Sequence, residues 1–162
     1  TMARKTGYSA LQIGLHWLTA LLILGAFVAS GGMGDALEDR LRTGATGTEG
    51  NTLHVWLGGG ALVVVLIRIG VSLRLGAPPA PDGTPVPWAR AAAWGHRLLY
   101  ALMVIVPALG AATWYGGRDL GEVHEIAATA LMVSAGGHVV AAMLHEALRS
   151  DGTMARMVQP RD

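Results

Sequence analysis

The stretch GEVHEIAATALMVSAGGHVVAAMLHEAL, residues 121–148, contains no lysine or arginine, and from 126 to 145 it has no charged side chain when histidine is neutral. A run of that length suits a helix crossing the hydrocarbon core, which takes roughly 17 to 25 residues. The same stretch holds His124 and His138, 14 residues apart. On a helix that spacing is about 21 Å along the axis and about 40° around it, so both imidazoles share one face at two depths. The reading predicts a membrane helix that offers a histidine near each side of the membrane.

Working outward, three more uncharged windows occur at 6–34, 50–67 and 98–117. The 162 residues are 52% hydrophobic and 14% charged, with a mean hydropathy of +0.43. That is too apolar for an ordinary soluble domain. The expected fold is an all-α membrane protein, a four-transmembrane-helix bundle with spans at about 9–29, 52–75, 89–114 and 121–148, forming one domain over 1–162. Residues 30–50, rich in glycine and acids, form the first connection. The second holds Pro78, Pro79, Pro81, Pro85 and Pro87, which favour an extended, semi-rigid loop, and Trp88 follows as an interfacial anchor. Pro107 lies inside the third span and is predicted to kink it by removing a backbone donor, a role that is usually structural.

Thr1 precedes Met2, so the native chain is expected to start at Met2. The first window lacks a small-residue cleavage site followed by a soluble body, so it reads as a retained span rather than a signal peptide. Arg4, Lys5, Arg68, Arg74, Arg90, Arg97, Arg149, Arg156 and Arg161 fall on one side of the spans, against Arg40, Arg42 and Arg118 on the other. This bias of nine to three places both termini of a lipid-embedded protein in the cytoplasm.

Cysteine is absent, which excludes disulfides, thiolate-held iron–sulfur clusters and C-x-x-C-H haem attachment. A formal net charge of +1 and no long basic run exclude nucleic acid as a partner.

All six histidines lie in or at the edges of the spans. A lone buried histidine is ordinarily a hydrogen-bonded packing residue, but here depth pairs them. His54 and His124 both begin their spans from the outer side and can face each other there. His16 lies about two turns inside the first span from the cytoplasmic side, at the depth to which His138 returns. Zinc or copper would want three or four ligands at one point, whereas each depth offers two. Two axial imidazoles suit a haem iron and favour electron transfer over oxygen binding. Gly14, Gly58, Gly59, Gly60, Gly136 and Gly137 beside these ligands would leave room for a porphyrin, or would serve close helix packing.

With these residues laid out, the chain resembles the bacterial cytochrome b561 family of di-haem membrane proteins, and more distantly the cytochrome b subunits of formate dehydrogenases and hydrogenases. The resemblance rests on YSALQIGLHW at 8–17, LHVWLGGG at 53–60, RIGVSLRL at 68–75, WGHRLLYALMVIVPALG at 94–110, VHE at 123–125 and SDGTMARM at 150–157. It implies two haem b groups, His16 pairing with His138 on the cytoplasmic side and His54 with His124 on the periplasmic side. Some members look like superoxide oxidases that pass electrons to ubiquinone. The 115–123 connection is shorter than in better-known members, and Val123 stands where an aromatic residue is common.

His96 and His145 are surplus to that ligand set. His96, with Arg97 and Tyr100, is a candidate quinone site, since reducing a quinone requires protons as well as electrons. His145 reads as an interfacial histidine at a helix end. Arg68, inside an apolar stretch, needs an anion such as a haem propionate or must snorkel to the headgroups. The outer connections hold Asp35, Glu38, Asp39, Glu49, Asp119 and Glu122 against three arginines, a net −3. That charge argues against an anionic substrate such as superoxide, unless a basic spot at Arg40, Arg42 or Arg118 lies near the haem edge.

The leading expectation is therefore an oxidoreductase that moves electrons from a periplasmic donor, superoxide among the candidates, through two haems to ubiquinone or another quinone. The alternatives are an electron-carrier subunit docked to a periplasmic redox partner, and a transport or metal-binding bundle in which the histidines only pack or relay protons.

Overall fold

The structure is a computed structural model and describes residues 7–81, 83–150 and 152–160. Met2 as a starting residue, and Arg4, Lys5 and Arg161 in the charge bias, lie outside the described residues. The described elements are α1 (Ala10–Val28), α2 (Met33–Thr43), α3 (Leu53–Leu75), α4 (Val86–Trp114) and α5 (Gly121–Arg149), followed by a 3-10 turn at Ala155–Met157. Four of them, α1, α3, α4 and α5, are long and apolar enough to cross a membrane.

Local chemistry sets where these helices start. Ser9 and Gln12 form a capping box: Ser9 Oγ accepts from the Gln12 amide at 3.3 Å, and the Ser9 amide donates to Gln12 Oε1 at 3.1 Å. Thr52 caps α3 by accepting from the Val55 amide at 3.4 Å. Pro85 is the N-cap of α4, and Pro87 lies in its first turn, where a missing N–H costs nothing. Here the expectation of an extended loop through all five prolines is corrected. Pro78, Pro79 and Pro81 are non-helical, whereas Pro85 and Pro87 start α4 three residues earlier than the predicted 89. Helix α4 runs on through Pro107.

Close backbone packing joins α1 to α3, α3 to α4 and α4 to α5, while the approach of α5 to α1 and α3 is at most marginal. Val65, Met103, Val106 and Leu131 form the buried centre, with Ile23, Ile69 and Leu99 against it. Most other large apolar side chains point outward, Leu21, Val28, Val133 and Leu148 among them. An apolar exterior around so small a centre fits a bundle with lipid as its solvent.

Each end of the bundle is closed by its own connections. At one end the first connection contains α2, an 11-residue helix where the sequence reading expected only a loop, with Gly44 ending it in the left-handed region at φ 68°. At the other end the C-terminal segment folds back. Trp17 Nε1 donates to the Met157 carbonyl at 2.8 Å, Arg156 to Pro79 O at 2.9 Å, and Arg149 to Gly83 O at 2.6 Å. Gln12, buried at the start of α1, donates to Gly76 O at 2.9 Å and ties α1 to the end of α3.

Candidate functional site

At the α2 end, α3 presents His54 and α5 presents His124, their ring centroids 5.9 Å apart and their planes at 89°. Both rings are oriented through Nδ1. His54 Nδ1 lies 2.8 Å from Ala26 O on α1, and His124 Nδ1 lies 2.9 Å from Val106 O on α4. A carbonyl only accepts, so each Nδ1 carries the proton and each Nε2 keeps its lone pair. This is the arrangement of metal-ligating histidines, whose second nitrogen is held by a carbonyl or carboxylate. Around the pair lies a cavity of about 720 Å³, lined among others by Gly58, Gly59, Gly110, Trp114, Met33 and Leu37. Room for the His124 ring comes from Gly110, where a Cβ would sit 3.0 Å from Cε1.

At the tail end, His16 of α1 and His138 of α5 have centroids 6.5 Å apart, and His96 of α4 lies 5.1 Å from His138. Arg68 donates from Nη2 to His16 Nδ1 at 2.9 Å and stacks 5.2 Å over the Tyr100 ring, while the Tyr100 hydroxyl is 3.4 Å from Ser72 Oγ. In this arrangement His16 Nδ1 is the acceptor. For His16 Nε2 to bind a metal, the proton must move to Nδ1 and Arg68 must turn to another acceptor. Tyr8, just before α1, borders the same cluster. Its burial, reinforced by Tyr100, holds the phenol above its ordinary range, with Arg68 and Arg156 opposing. Arg97 is exposed and stacks 4.8 Å over Trp94. His145 is half-buried near the end of α5, beside Glu146, whose carboxylate accepts from the Met154 amide at 3.1 Å.

Two imidazoles on opposite sides of one metal, each bonded at about 2 Å, have ring centroids about 6 Å apart. The 5.9 and 6.5 Å pairs fit that span, and the 5.1 Å between His96 and His138 falls short of it. Among the described residues no group of three or more His, Asp or Glu is arranged to hold a bare metal ion. A planar macrocycle with two axial nitrogens suits the paired histidines and the loosely approached flank of α5. A Cβ at Gly14, Gly58, Gly59, Gly136 or Gly137 would meet open space, whereas one at Gly60 would meet Leu22 Cδ2 at 3.9 Å.

The sequence reading missed several parts of the site. The Nδ1 acceptors Ala26 and Val106 are backbone atoms without a residue-type signature, and Gly110 stood in a quoted stretch without a role. Arg40, read as a possible surface charge, is buried, and Arg42 pairs with Asp39 at 2.6 Å.

Apolar helices with histidines paired at two levels define a small multi-pass membrane protein suited to a planar metal cofactor. Residues 7–160 match the family described as prokaryotic cytochrome b561. Among relatives, cytochrome b562 of Cereibacter sphaeroides is 37% identical over 161 residues, covering 99% of this chain and all of that protein. A probable superoxide oxidase, CybB of Yersinia pestis, is 28% identical over 181 aligned residues, covering 93% of this chain and 95% of its own length. The chain belongs to the prokaryotic cytochrome b561 family. It is a bacterial membrane cytochrome of electron transfer, with haem b as the prosthetic group that membership implies.

Proposed function

We propose that the chain holds two haem b groups, one between His54 and His124 and one between His16 and His138, and carries electrons between a donor at the α2 end and a membrane quinone at the tail end. The observation that carries this reading is the pairing of imidazoles at two levels, at separations of 5.9 and 6.5 Å. Held by these histidines, haem would supply a one-electron centre, and ligation by two imidazoles would favour electron transfer over oxygen chemistry.

The protein's own residues do the positioning. Ala26 O and Val106 O fix the His54 and His124 rings and keep Nε2 free. Arg68, which meets His16 Nδ1 at 2.9 Å, would be the residue to hold a propionate, and the His16 ring would then carry its proton at Nδ1. His96 and Tyr100 line the quinone site with Arg97 at its rim, and His96 delivers a proton to the reduced quinone, ubiquinone being the leading candidate. The charge bias supports an inner membrane location with both termini cytoplasmic and α2 periplasmic. The whole chain works as one domain.

For the donor, the relative named a probable superoxide oxidase supports superoxide. The test is a purified preparation supplied with a superoxide source and ubiquinone. Quinone reduction together with loss of superoxide supports the reading, and haem that stays oxidised in superoxide removes that donor. A second reading, an electron carrier for a periplasmic redox partner, is favoured by the engagement of Arg40 and Arg42 inside the protein's own contacts. These leave the α2 face acidic and suited to a basic protein. It predicts a partner that co-purifies in mild detergent.

A further inference from the structure

Arg40 is 7% exposed, yet its guanidinium is met by neutral groups. Nε donates to Trp114 O at 3.0 Å, Nη2 to Gly47 O at 2.9 Å and Nη1 to Glu49 O, while Cζ lies 4.9 Å over the Trp114 ring and 5.6 Å over Tyr115. Among the described residues no carboxylate comes within ion-pair distance of it; the neighbouring Asp39 is engaged by Arg42. A buried cation without a counter-ion is disfavoured, and an apolar side chain of similar volume often serves as well for stability alone.

The location suggests what the charge serves. Trp114 and Tyr115 line the cavity that also holds His54 and His124, so the guanidinium stands one aromatic ring behind it. Trp114 Nε1 donates to Asn51 Oδ1 at 2.8 Å, and Asn51 Nδ2 donates to the Tyr115 hydroxyl at 2.7 Å, which fixes both rings between charge and cavity. Reduction adds one negative charge to whatever occupies that cavity, and a fixed positive charge nearby in a low-dielectric setting stabilises the added electron. At the tail end Arg68 stands in the corresponding place, bonded to His16.

We propose that Arg40 is a positioning residue that raises the reduction potential of the haem at the α2 end and keeps it within reach of the haem at the tail end. This inference rests on the two-haem reading above. The test is potentiometric titration of the purified holoprotein, resolving the two haems, in wild type, Arg40→Gln, Arg40→Met and Arg40→Lys. The neutral variants should move the electron-sharing equilibrium between the haems about tenfold toward the tail end, a fall of about 59 mV in the α2-end potential with the other unchanged. Lysine keeps the charge without the three-way fork and should stay near wild type. Equal shifts in lysine and glutamine variants, equal shifts of both haems, or no shift would overturn the proposal. So would assembly with lysine but neither neutral residue, since the charge would then serve assembly. Failure of all three variants would overturn it as well, because the fork would then be what matters. Wild-type protein lacking haem would instead sink the two-haem reading.

Discussion

The imidazole of His124 rests directly on Gly110, where a Cβ would stand 3.0 Å from Cε1 and 3.3 Å from Nδ1. Gly110 is one turn along α4 from Val106, whose carbonyl takes the His124 Nδ1 hydrogen bond, so a side chain at 110 would push the ring off its acceptor. Gly110→Val should therefore release the α2-end haem and leave the other in place. Haem content per chain, measured with the reduced-minus-oxidised spectrum, should fall toward one. Retention of both haems with unchanged spectra would show that His124 does not need this seat.

The axial assignment makes a sharper prediction. His54→Ala and His124→Ala should each remove the α2-end haem, and His16→Ala and His138→Ala the tail-end haem, so the four variants should fall into two spectral classes. His96→Ala should keep both haems, because its 5.1 Å separation from His138 is too short for opposite sides of one iron. If His96→Ala instead loses colour as His138→Ala does, the tail-end pairing is wrong.

His96→Ala also tests the quinone site. With haem content intact, it should slow quinone reduction by about 10²-fold or more, in the range of losing a general acid. Electron transfer from a dithionite-type reductant into the haems should be unaffected. An unchanged quinone rate would remove His96 from proton delivery.

Arg68→Leu removes both the donor to His16 Nδ1 and the proposed propionate partner. It should weaken retention of the tail-end haem selectively, read as preferential loss of that spectral component during detergent washing. Equal retention of the two haems would assign Arg68 to packing over Tyr100 instead.

Gln12 makes two contacts at the tail end of the bundle, closing the capping box with Ser9 and donating to Gly76 O at the end of α3. Gln12→Ala should lower stability by about 1–2 kcal/mol, the range of a lost cap plus a buried hydrogen bond. The check is thermal unfolding in detergent, where the midpoint should drop by a few degrees with the haem spectrum unchanged.

The spans were legible because hydrophobic run length is set by the membrane, and the observed helices end within three residues of the expected limits. The facing of His54 with His124 and of His16 with His138 was legible because helical rise converts spacing into depth. Helix α2 was not, since its polar residues 33–43 carry no membrane-length signal. Its glycine boundaries at Gly32 and Gly44, Asp35 in the first turn and Arg40 and Arg42 in the last were nevertheless present to be read. The start of α4 was misjudged because proline both ends extended segments and opens helices. The burial of Arg40 was not legible because its partners are backbone carbonyls of residues 47, 49 and 114, and a carbonyl looks the same under every side chain.

Trp17 on the first helix donates to the carbonyl of Met157, in the 3-10 turn that follows the last long helix. During synthesis the first helix therefore enters the bilayer long before its partner emerges from the ribosome. Until that contact forms, Trp17, whose ring meets His16 edge-on at 5.5 Å, lacks its carbonyl partner, which leaves a time window for loading a bulky group before the segment folds over it.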